Sequence, residues 1–175
     1  MKLYILIFLL VVLSGCATIE LGDKFQSLKS TPKDKATLFI YRPKTDFNWA
    51  GWPDVYIDNT KISPLVNNSY FISYVTPGEH NIKAEGSTWG TNWYPEPMER
   101  KLTFSAGLSY YLRIMPFRTD SPEFQDLIPA LMASRAIGPV ILPFSWPSSI
   151  TLIEMVEEDI GKIEIQETHQ LMSIK

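Results

Sequence analysis

The chain has 175 residues, a formal charge of −3 and a single cysteine. That length suits one ordinary domain; the mild acidity, with scattered lysines and arginines, excludes a nucleic-acid face, and one cysteine excludes an intrachain disulfide. Five Trp, eight Tyr and nine Phe, punctuated by 13 Pro and nine Gly, favour short strands joined by turns.

Lys2 leads into an apolar run over residues 3–13, and Ser14-Gly15 then precede Cys16. A short basic start, an apolar middle and small residues at a cleavage point are the layout of a secretory signal peptide, too short to span a bilayer. Leu13-Ser14-Gly15-Cys16 resembles the lipobox of bacterial lipoproteins. The resemblance implies cleavage before Cys16, a diacylglycerol thioether on its sulfur and acylation, as with palmitate, of the new amine. The plain alternative is a buried thiol closing an ordinary signal or a core helix. Two or more acyl chains anchor stably where one is marginal. Ala17 and Thr18 follow the cysteine instead of the aspartate that resembles an inner-membrane retention signal, which in a Gram-negative host points to the outer membrane and a periplasm-facing domain. Removing residues 1–15 leaves 160 residues and takes the charge to −4.

Residues 16–35 hold Lys24, Lys29, Lys33, Asp34 and Lys35 without a sustained apolar period. They read as a lipid-anchored tether with one helical turn near Phe25 and a reach on the order of 20 Å. From residue 36 to 175 the reading is a single β-sandwich domain. Residues 37–42 are rich in strand formers and stop at Pro43, which cannot donate to a ladder. Residues 55–57 and 61–62 flank Asp58-Asn59-Thr60, a hairpin turn in which Asp and Asn tolerate positive φ. Residues 69–75 alternate up to the turn Thr76-Pro77-Gly78-Glu79, with residues 80–84 expected as their partner. Residues 102–104 and 108–115 flank Ser105-Ala106-Gly107 as a further expected hairpin. Strands at intervals of about ten residues argue for an antiparallel sandwich or small barrel over βαβ units.

Ser121-Pro122-Glu123 carries helix-start chemistry, with a capping hydroxyl, a proline at the first helical position and an early acid. Phe124, Leu127, Ile128, Leu131 and Met132 follow at helical spacing up to Gly138, interrupted by Pro129. Residues 116–148 therefore read as an inserted helical, apolar segment. The stretch 124–144 is long and apolar enough to suggest a membrane span, but Arg135 and three prolines would leave backbone groups unsatisfied in lipid. It is expected to cover an open side of the sandwich, dock on the membrane or contact another copy. A strand resumes at 150–155, and the tail from Glu157 is a last turn of helix or an edge strand.

Tyr41-Arg42-Pro43, the hairpin around Val55-Tyr56-Ile57-Asp58, Asn67-Asn68-Ser69-Tyr70-Phe71 and Pro77-Gly78-Glu79-His80 follow one another in an order and spacing that resemble a bacterial lipoprotein domain family of unknown function. The resemblance covers residues 36–86 and, loosely, 102–115. It implies a small β-sandwich related to surface and peptidoglycan-associated modules, with no assigned activity.

Candidate chemistry is sparse. His80 and His169 lie far apart and lack the convergent spacing of a metal site. No Gly-x-Ser-x-Gly elbow or Gly-rich phosphate loop occurs. Asp54 and Asp58 share a strand face, as paired carboxylates for hydrolysis would, yet a turn residue and a strand entry explain them as well. Arg42 ends an apolar strand with a planar fork suited to a carboxylate ligand or to locking a neighbouring loop, the structural reading being a clamp on Asp54 or Glu79. Trp49, Trp52, Trp89, Trp93 and Tyr94 fall in loops, where aromatic faces stack on sugars or bury a partner's side chain, or else fold down to cap the core. The expectation is a non-catalytic, mainly β binding or structural module, without cofactor or metal. It would be held to the membrane through Cys16, with an envelope protein or a glycan as partner. A glycan or peptidoglycan binder using the loop tryptophans, and then a hydrolase using His80 or Asp58, are the alternatives.

Overall fold

The computed structural model describes residues 19–28, 30–86, 98–122, 124–126 and 149–174. Among these residues, ten strands form two packed sheets. The larger takes β1 (Ile19–Lys24), β2 (Ala36–Arg42), β5 (Ser69–Val75), β8 (Ser109–Arg118), β9 (Ser149–Val156) and β10 (His169–Ile174), in the spatial order β1-β10-β5-β2-β8-β9. The smaller takes β3 (Pro53–Ile57), β4 (Thr60–Pro64), β6 (Gly78–Gly86) and β7 (Met98–Phe104), in the order β4-β3-β6-β7. The expected mainly β sandwich is the observed fold, and a helix, α1 (Glu158–Gln166), lies on the outer face of the larger sheet.

The core divides along β2, whose seven residues are all buried. Ala36, Leu38 and Ile40 point between the sheets and meet Val55, Ile82, Leu112 and Ile114. Phe39 and Tyr41 point the other way and meet Tyr70, Tyr111 and Ile165 of α1, with Phe39 stacked on Tyr111 at 4.8 Å between ring centroids. A strand covered on both faces reads as a continuous apolar run, as Leu38-Phe39-Ile40-Tyr41 does. Each such side chain contributes about 1.5–3 kcal/mol on burial.

The hairpin at Asp58-Asn59 forms as expected. Asp58 and Asn59 take φ of 50° and 64°, and Ile57 pairs with Thr60, the two-residue geometry that matches strand twist. Strand β4, which ends in Pro64, is an edge strand, where a missing donor is tolerated. Ser121 starts a helical turn: its Oγ accepts a hydrogen bond from the Phe124 backbone N–H at 3.2 Å, and its carbonyl accepts one from Gln125.

Several expectations need correction. Residues 69–75 and 80–84 are not hairpin partners, because β5 pairs with β2 while β6 pairs with β3 and β7. The same holds for β7 and β8, which lie in different sheets. Both turns, with Gly78 at φ 134° and Gly107 at φ 75°, carry the chain from one sheet to the other. Nor is the sandwich wholly antiparallel, since β2 pairs with β8, and β10 with β5, in parallel. The segment read as an inserted element from 116 starts late: Pro116, Phe117 and Arg118 continue β8 and pair with Thr151, Ile150 and Ser149. Of that segment, residues 127–148 lie outside the described residues.

The reading of residues 16–35 as a tether fails over 19–25. Instead of a helical turn near Phe25, β1 pairs with β10 at the far end of the chain, and Phe25 packs edge-on against Phe39 and Tyr70. The tail alternatives both occur, as α1 and then β10, although β10 lies inside β1 and is not an edge. At the opposite side, the edge of β9 is blunted by Arg100 of β7, whose Nη1 donates to the Ile153 carbonyl at 2.7 Å.

Helix α1 is fastened by close contact and charge. Gly161 lies so near Tyr111 that a β-carbon there would overlap the ring. Arg113 donates to Glu154 Oε2 at 2.9 Å and to Glu164 Oε1 at 2.6 Å, while the Tyr41 hydroxyl donates to Glu164 Oε2 at 2.6 Å. Burial, joined by the nearby Glu164, drives the Tyr41 pKa far upward, so its hydroxyl stays a donor. A Gly161→Ala variant is expected to lose about 1–3 kcal/mol in urea unfolding through overpacking. Ile163→Ala, on the exposed side of the same helix, serves as the near-neutral control.

Candidate functional site

The site with the most determined geometry is the loop after β2. Arg42 is fully buried, and the known partners of its fork are loop carbonyls: Nη1 donates to Gly51 at 2.6 Å and Nη2 to Asn48 at 2.7 Å. The expected clamp on Asp54 or Glu79 is corrected. Asp54 pairs with Lys61 across the β3–β4 hairpin, and Glu79 faces Lys101 at 3.8 Å on β7. The guanidinium instead ties down the neighbouring loop. Burial brings its pKa down to about 10, which still leaves it charged at neutral pH.

Other bonds make that loop rigid. Asn48 sits at φ 52°, and its carbonyl also accepts from the Gly51 N–H at 3.2 Å. Asn67 accepts from the Thr45 N–H at 2.9 Å and donates to the Thr45 carbonyl at 2.8 Å. The outcome is a closed loop that displays Trp49, which is 67% exposed. An indole held open on a braced backbone loses little entropy when it meets a flat apolar partner. Trp52, further along, is half-buried. Trp89, Trp93, Tyr94 and Cys16 lie outside the described residues, so only Trp49 and Trp52 of the expected aromatic set are placed.

His80 and Asp58, far apart in sequence, come together at the surface. His80 Nδ1 lies 2.5 Å from Asp58 Oδ2, and Nε2 lies 2.8 Å from the Thr76 carbonyl. Asp58 Oδ1 also accepts from the Asn81 N–H at 2.9 Å. A carboxylate and a carbonyl both only accept, which favours the charged ring that donates from both nitrogens, with the Thr76 hydroxyl a longer neighbour of Nε2 at 3.5 Å. Burial opposes that charge, yet Asp58 and Thr76 outweigh it and raise the His80 pKa. The Asn81 amide and His80 lower that of Asp58. These contacts fasten the β5–β6 crossing to the β3–β4 turn.

A separate cleft of about 270 Å³ opens where β8 and β9 meet the start of α1, lined by Tyr110, Met155, Glu157 and Glu158 among others. Its acids occupy the positive pole of the helix, and its volume falls short of ordinary small-molecule sites. Neither His80 nor Asp58 lines it. Among the described residues, no three His, Cys, Asp or Glu side chains converge as metal ligands.

Two outcomes follow from this geometry. Arg42→Met is expected to cost about 2 kcal/mol by leaving the buried Gly51 carbonyl without its guanidinium donor, with faster amide hydrogen exchange confined to residues 45–51. For His80→Gln, the stability gap to the parent chain is expected to be widest from about pH 5 to 6. It narrows as pH rises through the raised histidine pKa, and narrows again as pH falls through the lowered Asp58 pKa. Chemical denaturation across that range measures it.

No curated protein matches the chain, and no solved structure matches it. One family model does, over residues 32–124, and carries the description "Protein of unknown function (DUF2846)". Its span runs from the approach to β2 through β8 to the helical turn at Ser121, taking in the Arg42 loop and the His80–Asp58 pair. Since it covers more than half of the chain, the protein belongs to this DUF2846 family.

Proposed function

We propose that the protein is a lipid-anchored module of the bacterial cell envelope, held by acyl chains on Cys16 at the periplasmic face of the outer membrane, and that its sandwich binds or braces a neighbour without catalysing a reaction. The observation that carries this reading is the N-terminal pattern of Lys2, an apolar run and Leu13-Ser14-Gly15-Cys16. A body without cysteine after residue 16 is in keeping with an oxidising compartment, because it stabilises itself by packing alone. Mass spectrometry of the mature amino terminus is expected to find a chain starting at an acylated Cys16, and Cys16→Ala to move the protein out of the membrane fraction. A chain starting at Met1, or one with a bare thiol, refutes the anchor.

The exposure of Trp49 on its braced loop favours a glycan or protein contact as the module's task. Trp49→Ala is expected to leave unfolding unchanged while abolishing retention on isolated peptidoglycan or capture of the envelope partner. Unaltered retention and capture would remove the loop from that role.

A further inference from the structure

We infer that the ribbon formed by the start of β1 and the end of β10 is a membrane-contact surface, seated at the boundary between headgroups and acyl chains. The inference rests on the lipid-anchor reading and adds to it a stand-off distance and an orientation.

The ribbon stands apart from the rest of the fold. Strand β10 pairs with β5 only at His169 and Gln170, whereas it pairs with β1 from His169 to Ile174. Beyond Gln170, among the described residues, β10 pairs with β1 and no longer with β5, and a two-stranded ribbon is marginal in water. Three of its apolar side chains are nonetheless exposed: Ile19 by 39%, Leu21 by 40% and Met172 by 58%. Met172 lies over Gly22, where a β-carbon would stand 3.0 Å from its Cγ and Sδ. The pairing shifts between Glu20 and Leu21, which sets Leu21 opposite Leu171 and skips Met172. That irregularity puts apolar groups on both sides of the ribbon.

Position supplies the occupant. Cys16 precedes Ile19 by three residues, a span of at most about 11 Å when fully extended. With β1 zipped onto β10, no longer tether exists, and a thioether lipid on Cys16 brings the Ile19 end of the ribbon to the bilayer surface. Shallow seating, about 5–10 Å deep, buries Ile19, Leu21 and Met172 while leaving the open edge of β1 and Glu20 among hydrated headgroups. The charges of Lys24 and Glu167, paired at 2.8 Å, sit at the opposite end of the ribbon.

The test uses the acylated full-length protein in vesicles of phosphatidylethanolamine and phosphatidylglycerol. Because Cys16 is blocked by its lipid, Leu21→Cys, Met172→Cys and Ile163→Cys each offer one thiol for a polarity-sensitive fluorophore. Ile163 is an exposed apolar residue of α1 and reports a surface away from the ribbon. Labels at 21 and 172 are expected to shift to the blue and to be quenched by nitroxide lipids, while the label at 163 does neither. Labels at 21 and 172 as wet as that at 163, on protein that still floats with the vesicles, overturn the contact surface and leave the anchor standing. Protein that fails to float and carries a bare Cys16 overturns both. A blue shift that needs no vesicles and grows with protein concentration assigns the ribbon to a second copy instead, and also overturns the proposal.

Discussion

The constraint on which the architecture depends is that β2 has water on neither face. A two-layer sandwich covers only one side of each sheet, so a strand apolar on both sides requires a third cover. Here the smaller sheet covers one side, and α1 with Phe25 and Leu28 covers the other. That requirement accounts for parts of the chain outside the family match. The matched span, residues 32–124, holds both halves of the inner core but ends before α1, and it excludes β1, β9 and β10. Among the described residues outside that span, β1, β9 and β10 widen the larger sheet, β9 adds Ile150, Leu152 and Ile153 to the inner core, and α1 roofs the outer face.

Polar chemistry is placed where apolar cover alone would leave the layers free to slide. Arg113, reaching Glu154 and Glu164, ties a strand of the sheet to the helix above it. A partly buried ion pair of this kind adds less to net stability than its short distances suggest, because desolvation offsets attraction, but it selects one register of helix on sheet. Arg42 does the equivalent for the loop that bears Trp49. The His80–Asp58 pair does so between a turn of the smaller sheet and a crossing from the larger one.

Much of the local structure was legible in the residues, and the reason lies in range. Asp58-Asn59 demands positive φ whatever surrounds it, and Ser121 before Pro122 caps a helix through its own next turn. Partner choice was less legible. Thr76-Pro77-Gly78-Glu79 reads as a hairpin turn, yet the chain crosses there between sheets; alternation tells which face a side chain takes, not which strand lies beside it. The polar run after Cys16 concealed β1 because its partner begins 145 residues later, at His169. Arg42 was singled out correctly as an unusual residue, and its partners were misread because backbone carbonyls leave no mark in a sequence.

The pairing of β1 with β10 has a consequence for the order of events. Ile19 and Ile174 are neighbours in space, so β1 has no mate until β10 has been made. A chain delivered from its amino end, by a ribosome or through a translocation pore, carries an open strand edge for the whole of that passage. Contacts of such separation also close slowly, which leaves this protein at its most adhesive in the interval before β10 reaches β1.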